Sequence, residues 1–154
     1  MKIFRIAMIC TVAILSLQCT AQEKEKSAAT NTTTKLTKQT VQKVELEELT
    51  RGTNKVLVFT SDSKNVTHNG TETKRNFSGT EWDQVVKAIN AIDLKKIDTY
   101  EGPTTARFYD GALAATIRIH KDGKVYTSQS FDSGQPPKEL AALYKLLAPA
   151  FDGR

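Results

Sequence analysis

Apolar and polar positions alternate where the folded part of the chain begins, with Val44, Leu46 and Leu49 set among glutamates. A turn at Arg51-Gly52-Thr53-Asn54 leads to Val56-Leu57-Val58-Phe59, a run of β-forming residues that predicts a strand over Lys55–Thr60. Val66 to Phe77 is polar and extended, with a turn signal at Asn69-Gly70. The period then changes. Trp82, Val85, Val86, Ile89 and Ile92 recur every three or four residues, as on one face of an amphipathic helix. Ser78-Gly79-Thr80-Glu81 fits a capping box, in which Ser78 is the N-cap and Glu81 reaches back, and Phe77 and Trp82 form a hydrophobic staple.

Two Asp-Gly pairs punctuate the next stretch: Arg107-Phe108-Tyr109 turns through Asp110-Gly111 into Ala112–His120, and Lys121-Asp122-Gly123 turns into Lys124–Phe131. Slipping a strand by one residue moves its whole apolar set to the other face. A three-residue loop opposes Ile119 with Val125 and Arg118 with Tyr126, and gathers Ile117, Ile119, Val125 and Phe131 on one face; that register is expected. Pro136-Pro137 then opens a second helix with Leu140, Leu143, Tyr144 and Leu147 as its stripe, closed by Pro149. The expected fold is α+β: a two-layer sandwich with an antiparallel sheet of five or six strands and helices 79–92 and 137–147 on one face. Its core is expected to hold one of Val56 and Leu57, one of Val58 and Phe59, with Trp82, Val86, Ile89, Ile117, Ile119, Val125, Phe131, Leu140, Leu143 and Leu147. Phe77-Ser78-Gly79 and Phe131-Asp132-Ser133-Gly134 enter their helices alike, so a duplication of two β-β-α units stays open.

The first 21 residues follow another pattern. A basic start (Met1-Lys2-Ile3-Phe4-Arg5) precedes an uncharged run from Ile6 to Leu17, then Gln18-Cys19-Thr20-Ala21. That order is an export signal, and the run is short of the roughly 20 apolar residues of a membrane span. Three routes are open: diacylation at Cys19, simple cleavage before Gln22, or an uncleaved anchor. Residues 22–42 are polar and of low complexity, a disordered tether, and residues 43–151 form a single domain. The expected location is the periplasm or outer membrane as a lipoprotein, or a secreted soluble form, with a membrane partner if Cys19 is modified.

Composition removes several function classes. The only cysteines are Cys10 and Cys19, so residues 43–151 can form no disulfide, thiolate metal site or cysteine nucleophile. The formal net charge of +5 comes from interspersed opposite charges without a run of five alike, which gives neither a nucleic-acid stripe nor a polybasic patch. His68 and His120 are the only histidines, too few for a zinc site without cysteines, and no metal or cofactor is expected. Glu45, Glu47, Glu48, Asp93, Asp98, Asp110 and Asp122 read as solvated surface carboxylates. Ser133, Asp132 and His120 contain the residue types of a hydrolytic triad but lack a nucleophile elbow, and Asp132 and Ser133 read as caps of the second helix. The remaining candidate is a polar sheet face opposite the helices carrying Arg118, Tyr126, Thr116, Ser128 and Ser130, with His120 beside Arg118. A ligand there would meet Arg118, Tyr126, His120 and Asp132. The favoured function is a non-enzymatic binding or accessory domain of the cell envelope; the alternative is a small periplasmic hydrolase.

Asp110-Gly111-Ala112, Lys121-Asp122-Gly123-Lys124-Val125-Tyr126-Thr127-Ser128 and Phe131-Asp132-x-Gly134-x-Pro136-Pro137 together resemble a family of small exported proteins and lipoproteins of the Bacteroidota. The resemblance reaches back to Ser78–Trp82. Its shared residues are turns and caps, so it implies location and architecture and no activity. Ser133 departs from the histidine often found at its position in that family.

Overall fold

The structure, a computed structural model, describes residues 40–153. The expected export signal, Cys19 and residues 22–39 of the expected tether lie outside the described residues. Seven strands form one antiparallel sheet: β1 (Val41–Thr50), β2 (Thr53–Phe59), β3 (Lys64–His68), β4 (Thr71–Arg75), β5 (Ala114–Lys121), β6 (Lys124–Thr127) and β7 (Phe131–Asp132). Their order is β4-β3-β2-β1-β5-β6, with β7 paired to the start of β5. Helices α1 (Gly79–Asn90) and α2 (Ala141–Leu147) touch each other, and short 3-10 helices occupy Leu94–Thr99, Ala106–Tyr109 and Ala148–Asp152. The expected α+β class is observed, with one or two more strands than the periodicity suggested. Val41, assigned to the tether, is buried in β1, so the domain begins before residue 43.

One apolar cluster joins the sheet to the helices. Val44 and Leu46 of β1, Leu57 and Phe59 of β2, Val66 of β3, and Ala115, Ile117 and Ile119 of β5 meet Trp82, Val85, Ile89, Leu143 and Leu147. Val85 rather than Val86 is the fully buried valine of α1. Burying a side chain of this size stabilises by about 1.5–3 kcal/mol relative to exposure. Phe59 is the centre of the α1 entrance, with the rings of Phe77 and Trp82 edge-on to it at 5.0 and 5.2 Å. Ser78 caps α1 as expected, its Oγ accepting from Glu81 N–H at 3.2 Å. The other half of the capping box is replaced: Glu81 takes the buried ammonium of Lys64.

Three expectations are corrected. The β5–β6 hairpin has a two-residue loop that opposes Ile119 with Tyr126 and His120 with Val125. Asp122 and Gly123 have φ of 53° and 74°, the paired positive values of a type I′ turn, whose twist matches that of the strands. Turn geometry therefore outweighs the apolar count: Val125 is 55% exposed and Tyr126 packs against the core. Asn69-Gly70 makes the same kind of turn between β3 and β4. The second correction is at Arg107-Phe108-Tyr109, which is a 3-10 helix ended by Asp110 in the left-handed region rather than a strand with a hairpin turn. The third is α2, whose regular part starts at Ala141 after turns that begin at Pro137.

Candidate functional site

Period-two alternation divides the charges of β1 between two faces. Val44, Leu46 and Glu48 turn toward the core; Lys43, Glu45 and Glu47 alternate with them on the opposite face. Register sets Arg118 against Glu45, Thr116 against Glu47, and His120 against Lys43. The result is a ladder of alternating sign. Glu45 pairs with Lys43, and its Oε1 lies 3.2 Å from His120 Nε2. Arg118 Nη2 donates to Glu47 Oε2 at 2.7 Å, while Nη1 lies 3.8 Å from Glu45 Oε2. Burial works to raise the pKa of Glu45, but Lys43, His120 and Arg118 outweigh it and hold the carboxyl below its ordinary value. Beside the ladder, Val56 and Val58 face the same way opposite Glu47 and Glu45. The surface is thus a half-buried charge ladder flanked by a small apolar strip.

The helix side encloses a different polar group. Glu48, 4% exposed, accepts at Oε1 from Tyr144 Oη (2.6 Å) and Ser133 Oγ (2.7 Å). Gly134 N–H donates to Tyr144 Oη at 2.8 Å. Burial, then the adjacent Glu48, push the Tyr144 phenol upward. Asp132, 1% exposed, forms a clamp: its carboxylate accepts from Ala106 N–H (2.6 Å), Arg107 N–H (3.0 Å) and Arg107 Nη1 (3.0 Å). Burial opposes ionisation there, but the hydrogen bonds from Thr104, Arg107 and Ala106 win and hold the carboxyl well below its usual range. The clamp fixes the 3-10 helix Ala106–Tyr109, on which Phe108 and Tyr109 are exposed.

Of the residues singled out from sequence, Arg118, Thr116 and His120 share the open face, with His120 half-buried rather than solvated. Tyr126 belongs to the helix side because of the register correction. Ser128 is buried, its Oγ accepting from Ile117 N–H at 3.0 Å and donating to Gln129 O, so it finishes the β5 edge. Asp132 does cap a helix, but the 3-10 helix some 25 residues upstream rather than α2. Ser133, Asp132 and His120 do not converge. Ser133 N–H donates to Leu113 O, at the opposite end of β5 from His120, roughly 20 Å away for six or seven strand residues. Sequence reasoning missed Glu48 and Lys64, both assigned no buried role. Their own alternation carried the signal: each stands two residues from an inward apolar neighbour, Leu46 and Val66.

Among the described residues no group of three or more His, Cys, Asp or Glu side chains is placed to hold a metal ion, and no helix is long and apolar enough to cross a membrane. Comparison with family models, curated proteins and solved structures finds no match.

Proposed function

We propose that this chain is an exported, non-enzymatic accessory domain of the cell envelope, anchored by diacylation of Cys19, which binds a folded protein partner through the open face of its sheet. Its helices lie on the other face, leaving this one free for the partner. The observation that carries the reading is the ladder Lys43–Glu45–Arg118–Glu47 beside Val56 and Val58. Two cations and two carboxylates of alternating sign complement another mixed-charge surface. A polyanion or an anionic lipid surface calls for one sign. An apolar strip edged by fixed polar groups has the make-up of a protein interface. The basic start, apolar run and cysteine of residues 1–19 support export and anchoring. The resemblance to exported Bacteroidota proteins supports the same location.

Two measurements test the two halves of this reading. Intact mass of protein extracted from membranes is expected to show a diacylated N-terminal Cys19; an unmodified N-terminus at Gln22 in the soluble fraction would overturn the anchor. For the face, a photoreactive side chain at Thr116 or Val56 is expected to give one discrete protein adduct in intact cells, lost with Arg118→Glu. A control at Lys87 on α1 is expected to give none. Equal adducts from both faces, or persistence in Arg118→Glu, would remove the open face as the docking surface.

A further inference from the structure

On the helix side of the sheet, at the β2–β3–β4 end, an open cleft of about 390 Å³ is walled by Phe151 and floored by Val66. Its polar lining is Lys55, His68, Thr71, Thr73 and Arg75, and no carboxylate is among the lining residues. The sheet dictates this convergence. Thr71, Thr73 and Arg75 alternate along β4 and so share one side, and the register carries that side across β3 to Val66 and His68 and on to Lys55.

The cations here differ from the other buried or half-buried cations among the described residues, of which Lys121 has the Asn90 side-chain oxygen at 2.9 Å. Lys43, Lys64, Arg107 and Arg118 each have a carboxylate partner. Lys55 and Arg75 have none among the described residues. Lys55 Nζ instead stands 5.6 Å over the Phe151 ring, and Arg75 Nε is buried without an acceptor. Arg75 also lies directly opposite Lys64, a like-charge pair for which Glu81 is the one carboxylate in contact. The natural counter-ion for Lys55 would be its register partner Glu48, yet Glu48 commits Oε1 to Ser133 and Tyr144, and no ion pair joins it to Lys55. The cleft thus has positive charge, hydroxyl donors and an aromatic wall, with no carboxylate among its described lining residues.

We propose that this cleft binds a small organic anion, its phosphate or carboxylate held by Arg75 and Lys55 with the threonine hydroxyls, and its apolar body lying on Val66 and Phe151. Guanidinium and ammonium supply charge-assisted hydrogen bonds to such oxygens, and the forked geometry of arginine fits them best. The volume is in the range of small-molecule sites. This site is separate from the open face and does not depend on it.

Titration calorimetry of the purified full-length protein tests it with phenyl phosphate and benzoate, against the uncharged benzyl alcohol. Saturable binding of at least one anion is expected, weakened at least tenfold by either Arg75→Gln or Lys55→Met and by raised salt, and unchanged in Lys124→Ala, an exposed position at the other edge of the sheet. The stronger of the two probes identifies the oxyanion as phosphate or carboxylate. Thermal stabilisation of the unaltered protein by the same probe is expected in parallel, a readout that needs no variant to fold. Absence of saturable binding by both anions, equal binding of benzyl alcohol, or full affinity in Arg75→Gln would each overturn the proposal.

Discussion

Glu48 and Lys55 are register partners on one cross-strand row, facing the same side of the sheet, and their surroundings differ completely. Glu48 and the neighbouring Asp132 have donors aimed at them from several elements, Tyr144 and Ser133 for one, Ala106 and Arg107 for the other. Lys55 and, across β3 and β4, Arg75 have no carboxylate partner among the described residues. Burying charge is tolerated where hydrogen bonds replace lost water, and costs stability where they do not. The acidic end is therefore built for the fold. The basic end carries a cost that the fold alone does not explain, and this difference motivates assigning it a ligand.

Four substitutions test that contrast. Asp132→Asn should be the most damaging: it removes the charge that balances the buried Arg107 guanidinium and unseats the 3-10 helix Ala106–Tyr109. A fall in Tm on the order of 10 °C is expected by calorimetry. The pH dependence has a definite sign. A carboxyl depressed in the folded state contributes stability that is full above the unfolded value near pH 4 and drains away as pH falls below it. Asn at 132 should flatten that acid limb, and an unchanged limb would remove Asp132 as its source.

Gly102→Ala comes next, because a Cβ there would stand 2.8 Å from Phe131 Cβ, immediately before the clamp. Overpacking of this kind costs about 1–3 kcal/mol, measurable by urea unfolding. Tyr144→Phe leaves Gly134 N–H without its acceptor and takes a donor from Glu48, a loss of about 1–2 kcal/mol. The raised phenol of Tyr144 contributes stability that is full below about pH 10 and is lost as pH rises beyond it, so phenylalanine should also abolish that alkaline decline. The smallest effect is expected at the basic end. Arg75→Gln should change stability by no more than about 0.5 kcal/mol, and toward greater stability, since it removes a like charge opposite Lys64. Marked destabilisation would show that Arg75 serves the fold after all.

Period-two alternation, helical spacing and turn residues made most of the architecture legible before any coordinates. β1, β2, α1, the Ser78 cap and the core positions Ile117, Ile119, Phe131 and Leu143 all follow from local pattern. The β5–β6 register did not, because counting apolar residues favoured Val125 while the Asp122-Gly123 turn, a stronger local constraint, chose Tyr126. The role of Gly102 is close approach to Phe131, which no local pattern displays. The candidate surfaces were legible only in part. Arg118 and His120 could be placed on the open face from alternation, but their carboxylate partners sit on β1, some 70 residues earlier. The basic cleft was invisible for the same reason: it exists only once three strands and the 3-10 helix Ala148–Asp152 are assembled.

The position of β1 has a consequence for how the chain reaches this state. Its pairing with β2 closes through a two-residue loop, whereas its pairing with β5 joins residues as far apart as Val41 and Lys121. Closing so long a loop is entropically costly and slow relative to hairpin formation. The β1–β4 meander can therefore form while β1 still offers a bare edge and the uncovered faces of Val44 and Leu46. For a chain synthesised N-terminus first, that interval is the time of greatest exposure to self-association. Substitutions that weaken β5 should lengthen it, raising aggregation during refolding more than they lower equilibrium stability.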